Sequence, residues 1–343
     1  MKHLIKLAFA IFLFPMVSRS QNTSGAQRPV TGGIRTVAFD SLSMSDPFIL
    51  ADAATHMYYL TGSGGVVWKS PDLHTWQGPF NVTAVDSTSW MGTRPAIWAP
   101  EIHLYNNKYY YFGTFTNNRK IIDSIPQRSP IPRRAVHILV SDKPDGLYKP
   151  ISKKDYVPGN WATLDASFWI ENGKPYLVYC HEWLQIIDGT VEAVPLTADL
   201  SGPEGKPITL FRASSSPWAK EMNGINEITN GAHIPGWVTD GPYLFRTKTG
   251  KLGVIWSSWG TSRYALGVAY STSGTLAGPW VHEAEPLVAN NSGHGMFFKT
   301  FEGKLLLCMH YQNTGPGRNP RKPMLLEVDD SGDKLKIGKR VEP

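Results

Sequence analysis

The chain has 343 residues, 41% of them hydrophobic and 12% aromatic, with a formal charge of +6 and 2 cysteines. That is enough apolar material for one large β domain or two ordinary ones. The basic residues are dispersed, the densest groups being Arg119-Lys120, Arg133-Arg134 and the stretch from Arg318 to Lys322, which argues against a nucleic-acid stripe.

In chain order, the first 20 residues read as a secretory signal. Lys2 and Lys6 give the positive start, Leu7 to Val17 is apolar but short for a membrane span, and Ser18-Arg19-Ser20 supplies a cleavage context. The protein is therefore expected to be exported, periplasmic or extracellular, with no membrane association. Residues 21–33 are polar and read as a disordered leader. The segment Ile34 to Ala38 is expected to form a strand that pairs with the last sheet and closes a ring.

From there one pattern recurs five times. Its openings are Ser45-Asp46-Pro47-Phe48, Ala99-Pro100-Glu101-Ile102, Leu164-Asp165-Ala166-Ser167, Thr239-Asp240-Gly241-Pro242 and Gly293-His294-Gly295-Met296. A strand follows each polar residue, then a turn such as Asn106-Asn107, Glu171-Asn172-Gly173, Thr249-Gly250 or Glu302-Gly303, then a returning strand. Third strands read at Ala135 to Ser141, Gly189 to Leu196 and Ala265 to Ser271, and a more polar outer element follows. Four antiparallel strands repeated radially define an all-β fold, a five-bladed β-propeller over residues 34–343. Cys180 and Cys308 fall in apolar strands and read as buried free thiols.

A hairpin returns the chain to the face it left. Asp46, Glu101, Asp165, Asp240 and His294 are therefore expected to meet at one axis with the ends of the returning strands. Those ends carry Thr61-Gly62-Ser63, Thr114-Phe115-Thr116-Asn117, His181-Glu182-Trp183, Ser257-Ser258-Trp259 and His310-Tyr311-Gln312-Asn313. Hydroxyls, amides and aromatic rings together suit a polyhydroxylated ligand. Trp98, Glu101, Phe115, His181, Glu182, Trp183 and Trp259 are the candidate substrate contacts. Asp residues crowded at an axis resist ionising together, so at least one proton affinity rises, and carboxyls of unequal affinity are what glycosidic cleavage needs. Turn capping or a shared cation is the structural alternative.

These motifs, with Trp98-Ala99-Pro100-Glu101 and Asp240-Gly241-Pro242-Tyr243 among them, resemble glycoside hydrolase family 43. This is a family of five-bladed propellers acting on arabinose-, xylose- or galactose-containing plant polysaccharides. The resemblance implies an inverting O-glycosidase of α-L-arabinofuranosidase or β-xylosidase type, with Asp46 as base and Asp165 tuning the acid. The acid position falls on Asp240, where the common pattern has Glu. The shorter side chain retreats by about 1.5 Å, and a misplacement of about 1 Å costs on the order of a hundredfold in rate. Asp240 on an adjusted backbone, Glu182 as a substitute acid, and a non-hydrolytic carbohydrate-binding propeller are the three outcomes. His294 resembles an axial histidine of the family that lies near a central cation, commonly calcium, so a structural calcium is a possible cofactor; a channel-lining, hydrogen-bonded histidine is the alternative. The expected partner is an oligosaccharide or polysaccharide. The protein is expected to be a monomer, and to act in exo mode because no separate binding module accompanies the domain.

Overall fold

The computed structural model describes residues 33–222, 235–261, 263–314 and 319–343. The signal segment and nearly all of the leader lie outside them. Five sheets form the ring. The first holds β1 (Arg35–Ala38), β2 (Phe48–Asp52), β3 (Met57–Thr61), β4 (Val66–Ser70) and β5 (Thr75–Asn81). The second holds β6 (Ala96–Tyr105), β7 (Lys108–Asp123), β8 (Ile131–Ser141) and β9 (Lys149–Pro150). The third holds β10 (Thr163–Glu171), β11 (Lys174–His181), β12 (Thr190–Pro195) and β13 (Ile208–Arg212), with a one-turn helix α1 (Trp183–Ile186) after β11. The fourth holds β14 (Asp240–Arg246), β15 (Leu252–Trp259), β16 (Tyr264–Ser271) and β17 (Trp280–His282). The fifth holds β18 (Ser292–Lys299), β19 (Leu305–Tyr311), β20 (Lys322–Asp329) and β21 (Lys336–Val341). Every neighbouring pair within a blade is antiparallel, and from β2 on the consecutive strands of each blade are neighbours from the axis outward.

Local chemistry sets the hairpins. Asn106 and Asn107 have φ of 46° and 60°, and Asn172 and Gly173 have φ of 49° and 79°. Positive φ at both central residues gives the turn whose twist matches the flanking strands. Among the described residues the buried apolar side chains fall into five clusters, one at each blade interface. One of them joins Phe48, Leu60 and Trp76 of the first blade to Met296, Phe298 and Leu325 of the fifth.

That cluster corrects one expectation. The segment Arg35–Ala38 does not join the last sheet. It pairs with β5 of its own blade, Val37 opposite Trp76, and covers that blade's outer edge. The ring is closed instead by apolar burial between the first and fifth blades and by the Met44 N–H donating to the Arg321 carbonyl at 2.9 Å. No strand exchange is needed, because C-terminal β21 completes the fifth blade. Cys180 and Cys308 are buried free thiols in different blades.

The second blade departs from the others. β7 and β8 are long, and their pairing continues to Asp123 opposite Ile131. This arm rises on the side where the returning strands end. It carries the Arg128 guanidinium to the carbonyls of Trp183 (3.1 Å) and Leu184 in the third blade.

Candidate active site

The innermost strands share an irregularity that builds the site. Ladder pairing slips between Trp98 and Glu101, Leu164 and Ser167, Asp240 and Tyr243, and Gly293 and Gly295. At each slip one residue is left-handed: Ala99 (φ 39°), Asp165 (φ 59°), Gly241 (φ 50°) and His294 (φ 50°). Asp46 (φ 57°) occupies the same place just ahead of β2. Such bulges re-aim a side chain and leave a backbone N–H without a ladder partner.

That N–H finds a partner on a neighbouring blade. Ala99 donates to Ser63 Oγ (3.0 Å), Asp165 to Thr114 Oγ1 (2.8 Å), His294 to Ser257 Oγ (2.8 Å) and Asp46 to His310 Nδ1 (3.1 Å). Thus Ser63, Thr114, Ser257 and His310, which the sequence suggested as sugar-facing, are blade-to-blade staples. Gly241 differs, since its N–H goes to the Asp165 side chain, at Oδ2 (2.8 Å). A Cβ there would lie 2.8 Å from His294 Cγ, so the position combines positive φ with close approach and suits glycine.

The structural repeat revises the sequence alignment. The equivalent residues are Asp46, Ala99, Asp165, Gly241 and His294. Asp240 lies one residue before its bulge position and Glu101 two after. Asp46 and Asp165 are in register, whereas Asp240 is not and is held differently. The strand also starts before the polar residue in blades two, three and five, and at Asp240 itself in the fourth, because the bulge lets the ladder resume beyond it.

The three aspartates nevertheless meet. His294 Nδ1 lies 3.3 Å from Asp46 Oδ1 and 3.7 Å from Asp165 Oδ2. Asp165 accepts the amide of the residue after Asp240. Asp46 Oδ2 accepts from Ser63 Oγ at 2.5 Å, so Ser63 both donates to Asp46 and accepts from Ala99. His310 Nδ1 accepts the Asp46 amide, which assigns it the neutral tautomer protonated at Nε2.

Proton affinities separate accordingly. Burial by itself would raise Asp46, but His294, His310 and Arg321 outweigh it and hold the carboxyl well below the usual carboxylate range. His310 Nδ1 is committed to the amide, which leaves the His294 imidazole, 3.3 Å from Asp46 Oδ1, as the main opposing partner, with exposed Arg321 a smaller one. Asp240 is pushed up to about 7, chiefly by burial and by Asp46, against the opposing hydrogen bond from Tyr264. Asp165 is raised well above its ordinary value by burial, Asp240 and Asp46, with the Gly241 amide opposing. Two neighbouring buried carboxyls that are both raised share a proton near neutrality.

The candidate substrate contacts divide. Trp98 lies under the Arg134 guanidinium, 3.9 Å from ring centroid to Cζ. Arg134 pairs with Glu182 Oε1 and donates from Nε to Thr116 Oγ1 (3.1 Å). Glu182 is buried, and its Oε2 has no hydrogen-bond partner among the described residues. His181 stacks on Trp161 (4.1 Å, 13°) and contacts Gln185 Oε1 through Nε2 (3.0 Å). Trp259 is 36% exposed, edge-on to Tyr264. Glu101 contacts His103 Nε2 (2.6 Å) and lines a narrow axial cavity with Asp46, Pro47 and His294.

Two candidates are not placed to touch a ligand. Phe115 is fully buried with Tyr111, Leu139 and Tyr148, because strand alternation sends Thr114 to the axis and Phe115 into the blade. Trp183 is buried against Gly236 with Arg128 over its ring.

Two residues went unnoticed in the sequence. Tyr264 opens β16 and donates to Asp240 Oδ2 (3.0 Å). Arg321, just before β20, bears electrostatically on Asp46, Asp240, His294 and His310. Neither belongs to the repeated motif. Aligning the prolines Pro47, Pro100 and Pro242 would have placed Gly241 in register and set Asp240 apart.

No group of three or more His, Cys, Asp or Glu side chains arranged to hold a metal occurs among the described residues. His294 turns Nδ1 toward the carboxylates and packs on Gly241, and calcium prefers an oxygen cage. The described side chains do not form one. No helix among the described residues is long and apolar enough to cross a membrane.

A blade-built ring with a carboxylate cluster at its axis defines a propeller of the glycosidase class. The model of Glycosyl hydrolases family 43 matches residues 39–331, and the chain belongs to that family. An endo-arabinase structure from Bacteroides thetaiotaomicron is 36% identical, with TM-score 0.72, covering 85% of this chain and 96% of that one. An endo-1,4-beta-xylanase structure from the same organism is 20% identical (TM-score 0.62, 91% and 99% covered), and an alpha-L-arabinofuranosidase from Lactobacillus brevis is 16% identical (TM-score 0.63, 86% and 93%). The latter two share the fold. Comparison with curated proteins finds no match. The chain is a glycoside hydrolase.

Proposed function

We propose that this exported hydrolase cleaves arabinose-containing plant polysaccharide or its oligosaccharides with inversion of configuration. Asp46, ionised throughout the neutral range, draws the proton from a water on one face of the sugar. Asp240, holding a proton up to about pH 7, gives it to the departing glycosidic oxygen. Asp165 fixes the Asp240 backbone through the Gly241 amide and, its own proton affinity raised by burial and by Asp240, shares a proton with Asp240 near neutrality. Both carboxyls stabilise an oxocarbenium-like transition state between them.

The observation that carries this reading is the opposed environment of two aspartates at one axis. Glu182 serves as counter-ion to Arg134, so Asp240 is the carboxyl with a proton to give. The choice of arabinose follows the endo-arabinase likeness at 36% identity. Trp259, 36% exposed, offers an apolar face at the end of β15.

The test is to incubate the purified protein with linear arabinan, an aryl α-L-arabinofuranoside and an aryl β-D-xyloside, and to follow the first product by proton NMR. The expected result is arabinoside cleavage with the anomer inverted; a retained anomer contradicts the mechanism. The aspartate in place of the usual glutamate favours a second reading, a propeller that holds sugar without cleaving it. Sugar-dependent thermal stabilisation with no turnover, and activity appearing only on Asp240→Glu, would establish that reading instead.

A further inference from the structure

The acid position presents a geometric problem, since an aspartate reaches less far than a glutamate and has fewer rotamers to hold. The geometry points to Tyr264 as the positioning residue that makes Asp240 serviceable, by binding one carboxyl oxygen and leaving the other for the transferable proton. This rests on the glycosidase reading above.

The phenol donates to Asp240 Oδ2 at 3.0 Å. Its ring has little freedom. It is 6% exposed, stacks on His310 at 5.7 Å with the planes 7° apart, and meets Trp259 edge-on at 6.2 Å. A Cβ on Gly293 would lie 2.6 Å from Tyr264 Cε1, so that glycine leaves the room the ring fills. The packed ring fixes its hydroxyl in space, and the hydroxyl fixes the carboxyl. Burial keeps the phenol protonated, hence a donor at every working pH. The same ring lies on His310, whose Nδ1 receives the Asp46 amide. One rigid stack therefore spans from the base side of the axis to the acid side. A glutamate at position 240 would carry its carboxyl outward by about one C–C bond, about 1.5 Å, into the space of that hydroxyl.

Tyr264→Phe keeps the ring and removes only the donor. On an α-1,5-linked arabino-oligosaccharide, whose leaving group needs protonation, kcat should fall about tenfold to a hundredfold, with KM nearly unchanged. A hydrogen bond to an ionised carboxylate favours the anion, so its loss should move the alkaline limb of the pH profile upward by about one unit. The acid limb should stay where it is. Asp240→Glu alone should lose activity, and part of it should return in the Y264F background.

Carbon-13 titration of the Asp240 carboxyl, assigned by its loss in D240N, should show the same upward move without any substrate. An unmoved or lowered Asp240 titration in Y264F overturns the inference, as does a change in KM alone. A wild-type protein inactive on every glycoside would overturn the proposed function, while the carboxyl titration would still decide the part played by Tyr264.

Discussion

Asp46 and Asp240 are the same residue type at one axis, and their surroundings pull them in opposite directions. Asp46 sits at the left-handed position just ahead of β2, with a serine hydroxyl on one oxygen and the His294 imidazole 3.3 Å from the other. Asp240 sits one residue off the bulge, among carboxylates, with a single phenol donor. The first environment favours the anion and the second the acid. A one-residue offset in the repeat is enough to divide base from acid, because it changes which neighbouring strand supplies the partners.

Breaking the first side should have the largest effect. Asp46→Asn removes the group that activates water, and turnover of every substrate should drop on the order of 10⁴-fold, measured as initial rates on arabinan. Asp240→Asn should cost about 10² to 10³-fold on unactivated linkages and far less on aryl glycosides, whose leaving group departs without help. A uniform loss across both substrates would contradict the assignment. The same variant sharpens the comparison through stability. Asp240 binds its proton more tightly folded than unfolded, so its contribution is full below the unfolded value of 3.8 and fades as pH rises through about 7. Relative to wild type, D240N should therefore gain thermal stability at pH 8 compared with pH 5.

Next comes the wall beside the acid. Arg134→Met leaves the buried Glu182 unpaired, and breaking such a pair costs about 3 to 5 kcal/mol, read by denaturant unfolding. It also leaves an uncompensated anion that bears on Asp240, so the alkaline limb of activity should move up. The smallest effect is expected from exposed Arg321, which lowers both Asp46 and Asp240. Arg321→Met should shift both limbs of the pH profile upward together by a few tenths of a unit, less in high salt. This separates it from Tyr264→Phe, which moves only one limb.

Much of the fold was legible because it repeats. Five motif openings and the Asn-Asn and Asn-Gly turns gave the blades, and hairpin geometry alone brought Asp46, Asp165 and Asp240 to one end. Ring closure was misread, since nothing in the segment 34–38 distinguishes pairing with β5 from pairing with the last sheet. The staples were misread for a physical reason. Thr114, Ser257 and His310 carry the chemistry of sugar ligands, but the bulges create orphan amides that take those groups first. Phe115 fell to the alternation of β7, where its neighbour Thr114 had the axial face. Tyr264 and Arg321 lie in or beside third strands, outside the repeated signature, and only tertiary packing brings them to the carboxylates.

The account stands on opposed proton affinities at a shared axis. The direct measurement is a carbon-13 titration of the aspartate carboxyls from pH 2 to 9, with Asp46, Asp165 and Asp240 each assigned by its Asn variant. The account predicts that Asp46 titrates well below the usual carboxylate range while Asp240 gains its proton near pH 7. Three independent titrations, all near the ordinary value of 3.8, would contradict it.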